Sequence, residues 1–148
     1  MYRVAALLSL SFAVAACDGE TLGVDEAFAI EQAQIERARA SFEVIRRLAV
    51  LHDLDPVRAH AVLLNHTRDD RLLVRASAVL ALVQRHASDE AAHEAARVFT
   101  LDPTMPLPER EQVLITTSGR GLPWHAEAVA LLMRQARENS WIPRHDWH

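Results

Sequence analysis

Apolar positions recur every three or four residues from Asp25 to Asn139, and the prolines and glycines of that span fall mainly between the periodic stretches. That pattern predicts helices joined by turns, with no strand. In the first stretch, from about Asp25 to His52, Ile35, Ala38, Phe42, Ile45 and Ala49 alternate steps of three and four. One long helix with a narrow apolar stripe is expected. In "DLDPVRAHAVLLNH", Asp55 supplies an N-cap and Pro56 the first helical position of a second helix reaching about His66. Thr67 and Asp70 form a T-x-x-D capping signal for a third helix to Ala87, with Leu72, Leu73, Ala76, Val79, Leu80 and Val83 on one face. Ser88 is the expected cap of a fourth helix, with Asp89 and Glu90 at its positive dipole end, and that helix stops near Thr100. The three prolines of "LDPTMPLP" interrupt the pattern. A fifth helix follows from about Pro108 to Thr117, and a sixth from Pro123 to about Asn139. Residues Ser140 to His148 read as a C-terminal tail. The expectation is an all-α body of about six helices over residues 25 to 139.

Two helices share a phrase. "VRAHAVL" (Val57 to Leu63) and "VRASAVL" (Val74 to Leu80) agree at six of seven positions, and "HAEAVAL" (His125 to Leu131) echoes them. Small alanines beside aliphatic residues let neighbouring helices approach closely, so a repeated helix and turn predicts stacked antiparallel hairpins. With the acidic turns "DP" and "DD" before them, these phrases resemble HEAT-type repeats over about Asp53 to Gln84. The resemblance implies a compact bundle or short array containing a HEAT-like hairpin, and it implies that Arg58 and Arg75 pair with acids of the neighbouring turn.

The N-terminal segment follows a different rule. Arg3 precedes an apolar run from Val4 to Ala16, broken only by Ser9 and Ser11, and small residues lead to Cys17, the single cysteine of the chain. About 13 residues at ~1.5 Å each reach ~20 Å, short of the ~30 Å hydrocarbon core, so the layout is that of a signal peptide and not of a spanning helix. "VAAC" (Val14 to Cys17) resembles the lipobox of bacterial lipoprotein precursors. That resemblance implies a diacylglycerol on the Cys17 sulfur, removal of residues 1 to 16, and Cys17 as the mature N-terminus. Two or three acyl chains hold a protein in a bilayer, where one holds only marginally. Asp18 resembles the signal that retains lipoproteins in the inner membrane of enteric bacteria. Residues 17 to 24 then form a short tether, at most ~25 Å long from Asp18 to Val24, so the body sits close to the membrane on its periplasmic side.

Removing 16 of 148 residues leaves 132, enough for one domain with a core. Arg3 is the charged residue lost, so 15 of the 16 basic residues face 20 acidic ones, a net of about -5. Every basic residue is arginine. A mildly acidic chain without basic blocks points away from nucleic acid, which demands clustered positive charge. With Cys17 lipidated, the mature chain has no disulfide and no thiolate ligand, and packing alone must stabilise it.

Candidate chemistry is incomplete at each place it arises. "HEAAR" (His93 to Arg97) has arginine where a zincin needs its second histidine at i+4. "EAAH" (Glu90 to His93) fits one Glu-x-x-His element of a di-iron bundle, which needs a second such element and two further glutamates. His145, Asp146 and His148 lie in a terminus that does not preorganise a metal site. "TTSGRG" lacks the lysine of a phosphate loop and reads as a helix end with glycines at positive φ. "NHT" at Asn65 is a glycosylation acceptor only in a eukaryotic secretory pathway. No metal, cofactor or catalytic residue is expected.

Trp124, Trp141 and Trp147 are all the tryptophans of the chain. Trp124 and Trp141 fit either a closing layer of the core or a binding surface. Trp141, Arg144 and Trp147 are the expected partner-binding residues, because tryptophan and arginine dominate interface energetics. The sequence therefore points to a lipid-anchored envelope protein whose helical body binds or assembles a protein partner. An inhibitory or immunity-type lipoprotein is the alternative, with a histidine-dependent metalloenzyme behind it.

Overall fold

A computed structural model describes residues 22–139, and over that span the protein is all-α. Seven helices are present among the described residues: α1 (Val24–Arg37), α2 (Ser41–Leu54), α3 (Pro56–His66), α4 (Leu72–Arg85), α5 (Glu90–Leu101), α6 (Leu107–Thr116) and α7 (His125–Asn139). None of them is long and apolar enough to cross a membrane. The expected signal peptide, the expected lipidation site Cys17 and the expected partner-binding residues Trp141, Arg144 and Trp147 lie outside the described residues.

The extra helix comes from a break in the expected long one. Ala38 and Ala40 adopt extended backbone conformations, so α1 and α2 fold against each other at "ARA". Neither glycine nor proline marks the site. Instead, Arg71 Nη1 donates to the Ala38 carbonyl at 3.1 Å, and Arg47 reaches across from α2 to Glu31 of α1 at 2.9 Å. The break also undoes the expected stripe: Ile35 is buried, but Phe42 is 78% exposed.

The caps follow the sequence at α3 and depart from it at α4 and α5. Asp55 Oδ1 accepts from the backbone N–H groups of Val57 and Arg58 at 3.0 and 3.1 Å, with Pro56 in the first turn, as expected. Thr67 instead closes α3, its hydroxyl donating to the Leu64 carbonyl at 2.7 Å. Asp70 caps nothing, and α4 starts at Leu72 with no side-chain cap because the preceding carboxylate, Asp69, is taken by Arg71. Asp89, not Ser88, caps α5 by accepting from the Ala92 N–H at 2.9 Å. Gly119 and Gly121 both have positive φ, 78° and 67°, in the turn between α6 and α7.

Every helix–helix contact among the described residues joins elements one or two apart in the chain. The even helices α2, α4 and α6 neighbour one another in sequence order, as do α3, α5 and α7, and α1 packs on α2, with Arg58 of α3 reaching its Asp25 and Phe28. The result is a two-layer array. Its central element is α4, which packs on α2, α3, α5 and α6. Val74, Ala78 and Leu82 face a first core with Phe28, Val44, Leu51 and Leu63, whereas Ala76, Val79 and Val83 face a second with Phe99, Val113 and Trp124. The single-face reading of α4 therefore captured the second set and missed the first, and Leu72 and Leu73 are exposed at 41% and 58%. A helix covered on two sides has no polar stripe to orient it.

The repeated phrase occupies unlike environments. Ala59 and Ala76 are both buried, but Val57 is 83% exposed where its counterpart Val74 is fully buried. An outer helix and a central one thus share a sequence without sharing a role. Trp124 is buried in the second core, in agreement with a closing role there.

Candidate functional site

The α3–α4 turn is organised by Asp69. Its carboxylate accepts from Arg71 Nε and Nη2, both at 2.8 Å, from the Arg71 N–H at 2.9 Å, and pairs with His66 Nδ1 at 3.1 Å. The Arg71 guanidinium, followed by the backbone and His66 contacts, outweighs partial burial and holds the Asp69 carboxyl well below the usual carboxylate range. The Asp69 carbonyl in turn accepts from Arg75 Nε at 2.9 Å, which fixes the base of that side chain.

Arg75 leads into a groove of about 590 Å³. One wall is α5: Ala91, Glu94, Ala95 and Val98 lie on one face by their spacing, while Ala92, Ala96 and Phe99 carry the buried positions. Leu64 and Asn65 at the end of α3, Arg68 in the turn and Met105 after α5 complete the lining. The small alanines leave space above an apolar floor, and Val98 is 55% exposed.

Charges at the rim are unevenly satisfied. Glu94 has both oxygens engaged by Arg97, at 2.8 and 2.6 Å. Asp102 Oδ1 accepts from the Thr104 hydroxyl and N–H at 2.6 and 2.8 Å. Those two bonds, helped by the nearby charges of Arg75 and Arg110, hold its carboxyl below the ordinary value. The cations are freer. Arg75 Nη1 meets only the Met105 sulfur, at 3.6 Å, and the Arg68 guanidinium has no hydrogen bond or ion pair among the described residues. The groove thus offers apolar surface with uncommitted guanidinium donors at its edge, a combination suited to an apolar segment bearing a carboxylate.

Arg58 has a different setting from Arg75. It pairs with Asp55 at 2.7 Å and Asp25 at 2.8 Å, and its guanidinium lies 4.4 Å from the Phe28 ring centroid, tying α3 to α1.

A second depression, of about 510 Å³, shares no lining residue with the groove and is bordered by His52, His60, Arg85, His86 and Asp89. Arg85 Nη1 lies 2.6 Å from His52 Nδ1. Arginine can only donate, so Nδ1 accepts and the His52 proton sits on Nε2. In that tautomer Nε2 has no lone pair for a metal. His60 Nε2 pairs with Asp89 Oδ2 at 2.7 Å. Among the described residues no three His, Cys, Asp or Glu side chains form a set able to hold a metal ion.

His93, the histidine singled out by motif, places Nε2 2.8 Å from the Ala87 carbonyl, and its neighbour Glu94 belongs to the Arg97 pair. The clustered histidines had one visible signal: His60 is the single position at which the two repeated phrases differ, with Ser77 opposite it.

A further buried group escaped the sequence altogether. Arg110 of α6 is 1% exposed, donates through Nε to the Thr100 carbonyl at 2.7 Å and through Nη1 to Gln135 Oε1, and so joins α5, α6 and α7. Burial lowers its pKa, partly offset by Asp102, and its cation stands against the C-terminal, negative end of α5.

No protein-family model matches the chain, and neither a curated protein nor a solved structure matches it.

Proposed function

We propose that this protein is a bacterial lipoprotein, anchored through diacylglycerol on Cys17 and facing the periplasm, whose helical body binds a protein partner. The lipobox "VAAC" supports the anchor, and α1 begins at Val24, a short tether beyond Cys17. The stacking of α2 to α7 on their next and next-but-one neighbours is what a short HEAT-like array would have. In this reading the body binds and does not catalyse.

One observation carries the binding role: a groove with an apolar floor whose acids are satisfied internally while Arg68 and Arg75 keep free donors. A protein that presents an extended apolar segment with an acidic side chain or a C-terminal carboxylate matches that surface. The test is a photo-crosslinking residue placed at Val98 in the groove and, as a control, at Phe42 on α2. A discrete adduct from position 98, absent from position 42 and lost when Arg68 and Arg75 are both changed to Gln, is expected. Equal adducts from both positions, or an adduct indifferent to the arginines, would overturn the groove as the binding surface.

A further inference from the structure

The groove makes no use of the three histidines, whose arrangement is more specific than a scatter of surface residues. The His86 ring lies edge-on to two others, with centroids 5.4 Å from His52 and 4.7 Å from His60. Each ring comes from a different element: His52 from the last turn of α2, His60 from α3, and His86 from the residue that ends α4. Asp89, which holds His60, is also the cap of α5. Four helices therefore meet at one cluster of imidazoles.

The hydrogen bond from Arg85 requires a neutral His52, and burial disfavours the protonated form of His86. A proton added to His52 must go to Nδ1, the atom that accepts from Arg85. The contact would then join two cations. His86 stands beside His60, Arg85 and Asp89; burial is the largest influence against its protonation, Arg85 adds to it, and Asp89 opposes it. The Nε2 atoms of both His52 and His86 are buried with no hydrogen-bond partner among the described residues.

The remaining charged groups do not reverse this balance. Asp53 faces the cluster from α2, but its carboxylate is 75% exposed and is 3.3 Å from Arg85. His93 of α5 is occupied with the Ala87 carbonyl. The ends of α2 and α4 favour a nearby cation through their dipoles. Burial works the other way and prevails, joined at His52 by Arg85 and His86 and at His86 by His60 and Arg85, so both imidazoles have pKa values below the ordinary one.

We infer that His52, His60 and His86, with Arg85 and Asp89, form an acid-sensitive latch that holds the junction of α2, α3, α4 and α5 closed when neutral and loosens it when His52 and His86 gain protons. Because the folded-state pKa values lie below the unfolded ones, the latch is fully stabilising above about pH 6.5 and weakens as the pH falls through the folded values. The carboxylates of Asp89 and Asp69 are held low and stay ionised over this window. The groove takes its walls from α3 and α5, which the His60–Asp89 pair connects, so acid would also alter partner binding. That last consequence rests on the groove reading; the latch itself does not.

The test follows the histidine ring protons by NMR and thermal melting of the full chain in mild detergent, from pH 7.5 to 5.0. Two rings, assigned by single substitutions to His52 and His86, should titrate below pH 6.5. The melting temperature should fall by roughly 3–5 °C across the window, on the scale of one unfavourable protonation in a domain of this size. His52→Gln with His86→Gln should remove at least half of that fall, and His125→Gln, outside the cluster, should leave it intact. Should the double variant fold poorly, Arg85→Gln decides the matter: with the cation gone, His52 should titrate at higher pH in the folded protein. An unchanged His52 midpoint in that variant, or a double variant as acid-sensitive as the parent, would overturn the latch. Loss of the groove crosslink with a normal titration would instead remove the binding proposal alone.

Discussion

Replacing Asp69 with Asn tests the turn that positions the groove. The change keeps the size of the side chain and removes its charge. One oxygen becomes an NH2 donor facing either Arg71 Nη2 or the Arg71 Nε and N–H, so at least one of the contacts at 2.8–2.9 Å becomes donor against donor. The Asp69 side chain is 11% exposed and that of Arg71 is 32% exposed, so the bonds are only partly screened by water. Hydrogen bonds to charged groups contribute about 1.5–3 kcal/mol each when buried. Partial exposure and the bonds that survive reduce the expected loss to about 2 kcal/mol for the whole substitution. In a domain of this size that lowers the melting temperature by roughly 5–10 °C. Urea denaturation at neutral pH gives the free energy, and a pH series gives its origin. The Asp69 carboxyl is depressed in the folded state, so its stabilisation is present above the unfolded value near 4 and is lost as the pH falls toward the lower folded value. Wild type and Asp69→Asn should therefore converge by about 1 kcal/mol between pH 5 and pH 3. A variant within about 0.5 kcal/mol of wild type at pH 7, or a gap that stays constant into acid, would refute the charge-based account of this turn.

Cys17→Ser should accumulate as an unprocessed precursor if lipid addition precedes cleavage; normal cutting and release of a soluble protein, seen by gel mobility and fractionation, would remove the anchor. Arg110→Ala should cost about 3 kcal/mol in urea denaturation, because it strips the Thr100 carbonyl of its donor and leaves a cavity, whereas Arg110→Met, which fills the volume, should cost clearly less. Deleting residues 140–148 should weaken partner capture tenfold or more with melting nearly unchanged if Trp141, Arg144 and Trp147 bind the partner; a fall of several degrees with unchanged affinity would assign Trp141 to the core.

The helical class and most helix ends were legible because they depend on local chemistry. Asp55 and Pro56 start α3 where they stand in the chain, and the glycines after α6 adopt the positive φ that only glycine takes easily. The break between α1 and α2 was not legible. Ala38 to Ala40 carry no breaking residue, and the partner that captures the Ala38 carbonyl, Arg71, lies 33 positions away. The cap at α4 failed for a related reason, since Thr67 and Asp70 fit the local signal but Arg71 had already engaged Asp69. The first miss is a choice made by a distant group, and the second is a choice between competing partners within one turn. For the site, the chain showed that complete motifs were missing, but the groove has no sequence pattern and the histidine cluster only the His60 difference between the two repeated phrases. His52, His60 and His86 meet only because α2, α3 and α4 stack.

Contacts confined to helices one or two apart have a kinetic consequence. Short sequence separations make chain closure cheap, so a helical array of this kind folds fast, in the microsecond to millisecond range typical of low contact order. They also grade protection along the chain. Amide hydrogens of α4, held from four sides, should exchange slowest, near the rate of global unfolding, and those of α1, packed on α2 and joined to α3 only through Arg58, should exchange first through local fraying. The N-terminal end of the described body would then open and close more readily than the helices that line the groove, a looseness that the groove walls do not share.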